Sequence, residues 1–349
     1  MAGMDANEAR AAAADWVARH GRGLPGFHGA YFSGSTIALA PDDPVPPGSD
    51  VDIVLVVDDQ DPGPKPGKFL YRGALLEVTL LPAELLASAE DVLSQHHLAP
   101  SLRTDTLIAD PTGRLRALHE EVARRFAEPH WVRRRCASAL RLVENGLGGL
   151  DTTAPWPQAV TAWLFPTGVT TQVLLVAGLR NPTVRLRYAA VRELLAEHGL
   201  LDRHEELLAL LGSAALTAGR AEHHLHALAR TFDATAAVAR TPFFFSSDIT
   251  PAARPISIDA ILGLIRAGLH REVAFWIAAT FARCHTILDA DAPEALRRDH
   301  AGPFADFLAD LGITSAADLA SRAKDVLAYL PVLTETTEAV LHATVGSSS

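Results

Sequence analysis

Two aspartates at the start of an apolar strand constrain this chain more than any other feature of its sequence. Asp50 and Asp52 enter a run of β-branched and aliphatic residues, 51–57, and this run predicts a strand buried on both faces. Residues two apart in a strand point to the same face, so both carboxylates project together. Two neighbouring carboxylates in a buried strand repel each other and lose hydration, so they need a cation or a proton to neutralise them.

Other residues near this pair are suited to bind a triphosphate. Gly34 follows a predicted strand over residues 27–32 and lets the backbone approach a phosphate closely, and Ser35 adds a hydroxyl next to amide donors. Glu77 is a further acid on an apolar strand. If that strand lies beside residues 51–57, three carboxylates converge on a site for a hard divalent ion such as Mg²⁺. A phosphate cradle and metal ligands together match two-metal phosphoryl transfer.

These residues resemble the signature of a known superfamily. Gly34-Ser35, followed by Ser49-Asp50-Val51-Asp52-Ile53, is similar to the Gly-Ser and Asp-x-Asp motifs of the polymerase-β-type nucleotidyltransferases, and Glu77 matches their third acid. In layout the chain is closest to the aminoglycoside and lincosamide nucleotidyltransferases, in which a helical bundle follows the catalytic domain. It departs from them in a longer, proline-rich loop before Asp50 and in Thr36-Ile37-Ala38, which replaces the usual Arg-Gly.

The resemblance implies a reaction and a role for each residue. A nucleoside monophosphate passes from an NTP, in the simplest case ATP, to a hydroxyl of a small-molecule acceptor, and pyrophosphate leaves. Asp50 and Asp52 would ligate two Mg²⁺ ions, and Glu77 would ligate the catalytic ion or take the acceptor's proton. The implied catalytic and metal-binding residues are Asp50, Asp52 and Glu77, and the implied nucleotide-binding residues are Gly34, Ser35, Ser49 and Arg185.

Strand and helix signals predict an α+β protein of two domains. We place a catalytic domain with the nucleotidyltransferase fold, a mixed sheet flanked by helices, at residues 1–130, and an all-α substrate-binding bundle at residues 131–349. In the first domain the patterns predict strands over 27–32, 51–57, 68–71, 74–81 and 107–109 and helices over 7–19, 82–97 and 114–126. In the second they predict helices over 133–144, 159–179, 183–198, 221–239, 258–288, 304–311 and 316–343.

Composition narrows the expected partners. A formal net charge of −10 is unfavourable for binding nucleic acid, which needs clustered Lys and Arg, whereas an acidic cleft suits a polycationic, aminoglycoside-like acceptor.

Cys136 and Cys284 form no disulfide or zinc pattern, which indicates reduced thiols in a cytoplasmic protein. We expect no signal peptide, and no apolar run approaches the ~20 residues of a membrane span. Because relatives with this layout can place sites at subunit contacts, a homodimer is one possible assembly.

Several alternatives stay open at this stage. The acceptor could be a protein side chain, which would make the chain a protein AMP-transferase, or the altered phosphate loop could belong to a catalytically inactive NTP-sensing module. Glu77 could be a strand carboxylate paired with Arg72 or Lys68. Glu272, in an apolar helix, is either the general base or part of a buried network. Arg220 and His226 fit a loose Arg-x5-His pattern found in ribonucleases with a helical domain.

Overall fold

The chain divides into two compact units, each described here by itself. The computed structural model describes residues 4–46, 48–58 and 65–346. Unit 1 comprises Met1–Arg134 and Pro242–Ile256, and unit 2 comprises Arg135–Thr241 and Ser257–Ser349. The segment 242–256, which the sequence pattern assigns to the helical domain, therefore belongs to unit 1.

Unit 1 is built on a small mixed sheet. In the described part of the chain the sheet has five strands, β1 Phe27–Ser33, β2 Val51–Val57, β3 Gly67–Tyr71, β4 Ala74–Pro82 and β5 Leu107–Ala109. Their order is β3-β4-β2-β1-β5, with β2 and β4 parallel and the other neighbours antiparallel. The helices of this unit are α1 Ala6–Trp16, α2 Ala89–Ser94, α3 Arg114–Arg125 and the first turns of α4 Pro129–Gly148. The sequence predicts all five strands, and the α+β class is confirmed.

The core of unit 1 lies between α1 and one face of the sheet. Alanines on the inner side of α1 pack against Val51, Ile53 and Leu55 of β2, which are fully buried. Between them, Asp52 and Val54 point to the opposite face and are half-buried. The first half of β2 therefore alternates between a core face and a face that carries polar groups, whereas its continuous apolar run predicts burial on both faces.

Unit 2 is all-helical in the residues that the structure describes. After α4 come α5 Trp156–Ala177, α6 Arg187–Glu197, α7 Leu201–Leu211, α8 Ala218–Val238, α9 Ala260–Arg266, α10 Ala274–Asp291, α11 Glu294–Asp310 and α12 Ala316–Gly346. The two most apolar helices form its centre: α5 packs against α6, α10 and α12, and α10 also packs against α8 and α11. The predicted helical second half is thus confirmed in its class.

Glycines explain where the predicted helices differ from the observed ones. The pattern over 258–288 predicts one helix, but Gly268 at φ +88° follows the last turn of α9 and separates it from α10. Gly199 at φ +70° ends α6 in the same way, and the chain then begins α7, which the sequence pattern does not predict. The predicted helix over 82–97 is wrong, because only α2 and a preceding 3-10 turn form there.

Within the part of the chain that the structure describes, one helix, α5, has the length and composition of a membrane span, contrary to the expectation from the sequence. It has 22 residues, and its most apolar 18-residue window has a mean hydropathy of 1.4. However, 72% of that window is buried inside the protein. A core helix of a soluble protein can have the length and composition of a membrane span, and burial of this extent is typical of such a core helix. Cys136 and Cys284 are both buried and are not joined in a disulfide.

His285 in α10 should make the stability of unit 2 sensitive to acid. Burial, with a smaller contribution from His300, lowers the pKa of His285 to about 4. An unfolded histidine has a pKa of about 6.5, so between pH 6.5 and 4 the unfolded chain gains a proton that the folded chain does not. The contribution to stability is therefore intact above about pH 6.5 and is lost progressively as the pH falls, by about 3 kcal/mol in total.

The His285→Phe variant tests this expectation, because the ring stacks on Phe304 with centroids 4.8 Å apart and its Nε2 has no hydrogen-bond partner in the structure. The difference between urea midpoints at pH 7.5 and pH 4.5 should shrink in this variant. His226→Phe, on the exposed side of α8, is the control and should keep the wild-type difference. Equal pH dependence in His285→Phe and wild type would contradict the expectation.

Candidate metal centre

A row of polar side chains crosses the sheet on the face opposite α1. The strand register places Lys68 beside Glu77, Glu77 beside Asp52, and Asp52 beside Ser33, on β3, β4, β2 and β1 in turn. Directly paired residues on neighbouring strands point to the same face. Asp50 projects to this face as well, because it precedes Asp52 by two residues. The parallel pairing of β2 with β4 is thus what brings the third acid to the two aspartates.

Three carboxylates meet in this row. One oxygen from each of Asp50, Asp52 and Glu77 lies within 4.8 Å of the other two, and all three residues are half-buried. Among the described residues, these three acids are the one group of His, Cys, Asp or Glu side chains that has the spacing of a metal site. The structure therefore brings together the acids that the sequence proposes, and they could bind a metal ion.

Two lysines lie among these acids. Lys68 Nζ is 3.3 Å from Asp50 Oδ2 and also forms an ion pair with Glu77, and Lys65 Nζ is 2.5 Å from Glu77 Oε1. Burial alone would raise the pKa of Glu77, but the ammonium groups of Lys68 and Lys65 outweigh it and hold this pKa at about 2. Glu77 is therefore an ionised carboxylate compensated by lysines, which agrees with the alternative that pairs it with Lys68.

A fourth acid, Asp248, reaches the same place from the segment 242–256. Its Oδ1 accepts a hydrogen bond from Lys68 Nζ at 2.7 Å, and its side chain is 11% exposed. The short 3-10 turn that carries it packs closely on β3, where a Cβ added to Gly67 would lie 2.5 Å from the Ser247 Cβ. The sequence pattern does not predict Asp248 as a site residue, because 180 residues separate it from Lys68.

Asp52 is the member of the cluster that has no ion-pair partner among the described residues. Burial, together with the charges of Asp50 and Glu77, raises its pKa well above the ordinary value. Burial likewise raises the pKa of Asp50, although Lys68 opposes the shift. With all groups ionised, the four carboxylates exceed the two ammonium groups by two charges, which one divalent cation would neutralise. The all-oxygen donor set fits a hard ion such as Mg²⁺.

Gly34 lets the backbone of β1 approach the Asp52 carboxylate. Its φ is +71°, in the left-handed region that favours glycine, and a Cβ at this position would lie 2.5 Å from Asp52 Cγ and closer still to Oδ2. Any side chain here would therefore displace the carboxylate from Asp50 and Glu77. The glycine that the sequence proposes as a phosphate-binding residue is thus also required for the position of Asp52.

The loop after Gly34 is anchored from α1. Ser35 begins a 3-10 turn over Thr36–Ala38. Arg10 Nη2 donates hydrogen bonds to the carbonyl oxygens of Thr36 at 2.6 Å and Leu39 at 2.8 Å. These bonds fix the backbone of the turn that follows Ser35, whose own side chain is exposed.

Two further predicted nucleotide-binding residues lie outside this row. Ser49 directly precedes Asp50, and its backbone amide donates to the carbonyl oxygen of Pro46 at 3.0 Å. Arg185 belongs to unit 2 and precedes α6. Their roles toward a nucleotide stay predictions.

Glu272 lies in a buried polar network of unit 2. It is 4% exposed, and its Oε1 is 3.7 Å from both His204 Nε2 and Arg192 Nε. Its Oε2 is buried without a hydrogen-bond partner in the structure. These contacts agree with the structural alternative for Glu272, in which it links helices, rather than with an accessible general base.

Arg220 and His226, the two residues of the Arg-x5-His pattern in α8, have different surroundings in the structure. Arg220 Nε is 2.7 Å from Asp310 Oδ2, and the second partner of that oxygen is His224, at 2.8 Å from Nε2. His226 is exposed. Arg220 is thus engaged with Asp310, and the ribonuclease alternative stays a prediction.

Comparison with known proteins identifies no family for this chain. No protein-family model matches the chain, and no curated protein is significantly similar to it. What the chain does has to be inferred from the carboxylates, the ammonium groups and the glycine loop of unit 1.

Proposed function

We propose that the chain is a Mg²⁺-dependent nucleotidyltransferase acting on small molecules. The observation that carries this proposal is the convergence of Asp50, Asp52 and Glu77 within 4.8 Å beside the Gly34 turn. Carboxylate and phosphate oxygens are the ligands that Mg²⁺ prefers. The donor is an NTP, in the simplest case ATP, and the acceptor is a small molecule with a hydroxyl group. An aminoglycoside-like polycation suits the net charge of −10.

In this reaction an acceptor hydroxyl oxygen bonds to the α-phosphorus while the bond from that phosphorus to the β-phosphate oxygen breaks, and pyrophosphate leaves. The bound cation supplies charge neutralisation on the triphosphate. Asp50 and Asp52 hold the cation, and Ser35 with the amides that follow Gly34 binds the outer phosphates. Glu77 is a poor base for the acceptor's proton, because its pKa of about 2 is far below neutral pH. In the proposed reaction the acceptor's proton is released to water.

A second function, NTP binding without transfer, is favoured by the lysine contacts. Lys65 and Lys68 neutralise Glu77, so this acid is already paired before any ion binds. A site of this kind could hold an NTP through Asp50, Asp52 and the glycine loop and serve as a sensor. Tight NTP binding with no pyrophosphate release across a broad acceptor panel would favour this function over transfer.

Pyrophosphate release tests the proposed transfer. The purified chain is incubated with each NTP, MgCl₂ and a panel of hydroxyl acceptors that includes aminoglycosides. Wild type should release pyrophosphate with at least one acceptor, and the Asp50→Asn/Asp52→Asn double variant should release it more than about 100-fold more slowly, because both cation ligands are lost.

Asp58→Asn is the matched control for this experiment. Asp58 follows the last residue of β2, and its carboxylate is largely exposed and pairs with His28. This variant should keep wild-type turnover. If the double variant at 50 and 52 also keeps wild-type turnover, the assignment of the site is wrong.

A further inference from the structure

Lys68 lies at the centre of the acid cluster. Its ammonium nitrogen contacts three carboxylates: it is 3.3 Å from Asp50 Oδ2 and 2.7 Å from Asp248 Oδ1, and it forms an ion pair with Glu77. A lysine ammonium has three N–H donors, so these three acids can use all of them. The side chain is only 9% exposed. Lys68 therefore acts as a fixed positive charge rather than as a mobile surface lysine.

This ammonium is surrounded by acids of unit 1. The carboxylates of Asp248, Asp50 and Glu77 all contact its nitrogen. A buried ammonium is costly unless it is paired. The three partners come from β4, from the turn before β2 and from the segment 242–256, so separate parts of unit 1 hold the charge in place.

The same ammonium competes with a metal ion for two of the predicted ligands. Mg²⁺ binds carboxylate oxygens at about 2.0–2.1 Å, and Lys68 already contacts both Asp50 and Glu77. An ion shared by those two acids would have to displace the ammonium or lie next to it, and two positive charges at that separation repel strongly. The position between Asp50 and Glu77 is therefore already filled by a cation of the protein itself.

The side of the cluster toward Asp52 differs from the side that Lys68 occupies in its ion pairs. Asp52 has no ion-pair partner among the described residues, and its carboxylate lies against Gly34, the first residue of the predicted phosphate loop. The two negative charges that Lys65 and Lys68 leave uncompensated equal the charge of one divalent ion. Asp50 and Asp52 together can supply carboxylate oxygens to that ion.

We propose that the site binds one divalent cation, between Asp50 and Asp52, and that the Lys68 ammonium takes the place of the second cation. This inference rests on the metal site of the proposed function and reduces the expected number of Mg²⁺ ions from two to one. Glu77 is then a partner of the lysines and not a metal ligand. Asp248 is a positioning residue, which acts by holding Lys68.

The number of bound ions tests this inference independently of turnover. The probe is Mn²⁺ alone, titrated into the full chain, with free Mn²⁺ measured by electron paramagnetic resonance and heats measured by calorimetry. Wild type should bind one Mn²⁺ in the acid cluster. Lys68→Gln, which removes the ammonium from Asp50 and Asp248 and leaves Glu77 paired with Lys65, should bind two. An Asp52→Asn variant should lose the single ion of wild type, and Glu77→Gln should retain it.

Lys65→Gln is the matched control. Lys65 also pairs with Glu77, but its contacts do not include Asp50 or Asp248, so this variant should still bind one ion. If Lys68→Gln does not fold, as judged by circular dichroism, the double variant Lys68→Gln/Asp248→Asn replaces it, because it removes one charge of each sign. The double variant also lacks the ammonium between Asp50 and Glu77, and it should bind a second Mn²⁺.

The outcomes separate this inference from the proposed function. Two ions in wild type, or one ion in both Lys68→Gln and the Lys68→Gln/Asp248→Asn double variant, would overturn the role of Lys68. No Mn²⁺ binding in wild type would remove the metal site and with it the proposed function. One ion in wild type and two in Lys68→Gln, without pyrophosphate release under any condition, would support the inference and leave only nucleotidyl transfer rejected.

Discussion

Asp52→Asn should abolish divalent-cation binding and at the same time stabilise unit 1. In wild type the Asp52 carboxylate lies within 4.8 Å of Asp50 and Glu77 and has no ion-pair partner among the described residues. Asparagine has nearly the same shape but no charge, so the variant relieves the repulsion. Loss of groups that merely support a metal ligand costs 10–100-fold in affinity, so loss of the ligand itself should cost at least about 100-fold.

The stability gained by Asp52→Asn should increase as the pH rises. Burial and the neighbouring carboxylates raise the pKa of Asp52 well above its ordinary value. The unfolded chain loses this proton near pH 4, about the ordinary value for aspartate, whereas the folded chain loses it at higher pH. Stability from the protonated form is therefore present at low pH and is lost as the pH rises through the folded pKa. The advantage of Asp52→Asn should grow from pH 4 to pH 8.

Thermal unfolding in EDTA and Mn²⁺ titration check the two effects separately. Without metal, Asp52→Asn should exceed wild type by roughly 0.5–2 kcal/mol at pH 8, the usual range for one stabilising substitution. Saturating Mn²⁺ should raise the melting temperature of wild type but not of the variant, because only wild type binds the ion. Asp58→Asn should change neither property. A variant that is less stable than wild type in EDTA would show that the carboxylates do not repel one another as proposed.

The acids of β2 and β4 were predictable because their signals are local. A two-residue spacing places Asp50 and Asp52 on one face of any strand, and an acid at Glu77 stands out in an apolar run. The sequence could not establish that β2 and β4 are parallel neighbours, because this pairing depends on strands that are distant in the chain. It is the pairing of Asp52 with Glu77 that completes the cluster.

Lys68 could have been predicted as well. The hairpin of β3 and β4 closes through Arg72 and Gly73, both of which have positive φ, and a two-residue turn fixes the strand register. Counting back from this turn places Lys68 opposite Glu77. The sequence interpretation considers Lys68 only as a simple ion-pair partner, whereas the structure adds contacts to Asp50 and Asp248.

Asp248 could not have been predicted from local patterns. Its segment lies between long helices of unit 2, and a short polar stretch of this kind is ordinarily a helix connection. Only its packing on β3, where Gly67 leaves room for Ser247, shows that the segment belongs to unit 1. The assignment of residues to domains by composition alone fails wherever the chain crosses between units more than once.

Gly34→Ala should disrupt the cation site more severely than its small size suggests. The added Cβ would lie 2.5 Å from Asp52 Cγ, so the carboxylate has to rotate away from Asp50 and Glu77. The alanine must also adopt a φ of +71°, which costs about 1–2 kcal/mol for a residue with a side chain. We expect Mn²⁺ affinity to fall at least about 100-fold, as for direct loss of the ligand.

The Gly113→Ala variant separates the cost of the backbone conformation from the effect of the contact with Asp52. Gly113 has a φ of +74°, but a Cβ there would meet nothing within 4 Å. This variant should lose the same 1–2 kcal/mol of stability and keep wild-type Mn²⁺ binding. Any further loss of stability in Gly34→Ala, beyond the cost of its φ, should shrink when Asp52→Ala is added. This second substitution removes Oδ2 and Cγ and leaves only the Cβ of residue 52, which would lie 3.2 Å away. The coupling in a double-mutant cycle should be about 1 kcal/mol or more. Additive effects of the two substitutions, or Mn²⁺ affinity retained in Gly34→Ala, would mean that Gly34 does not position the Asp52 carboxylate.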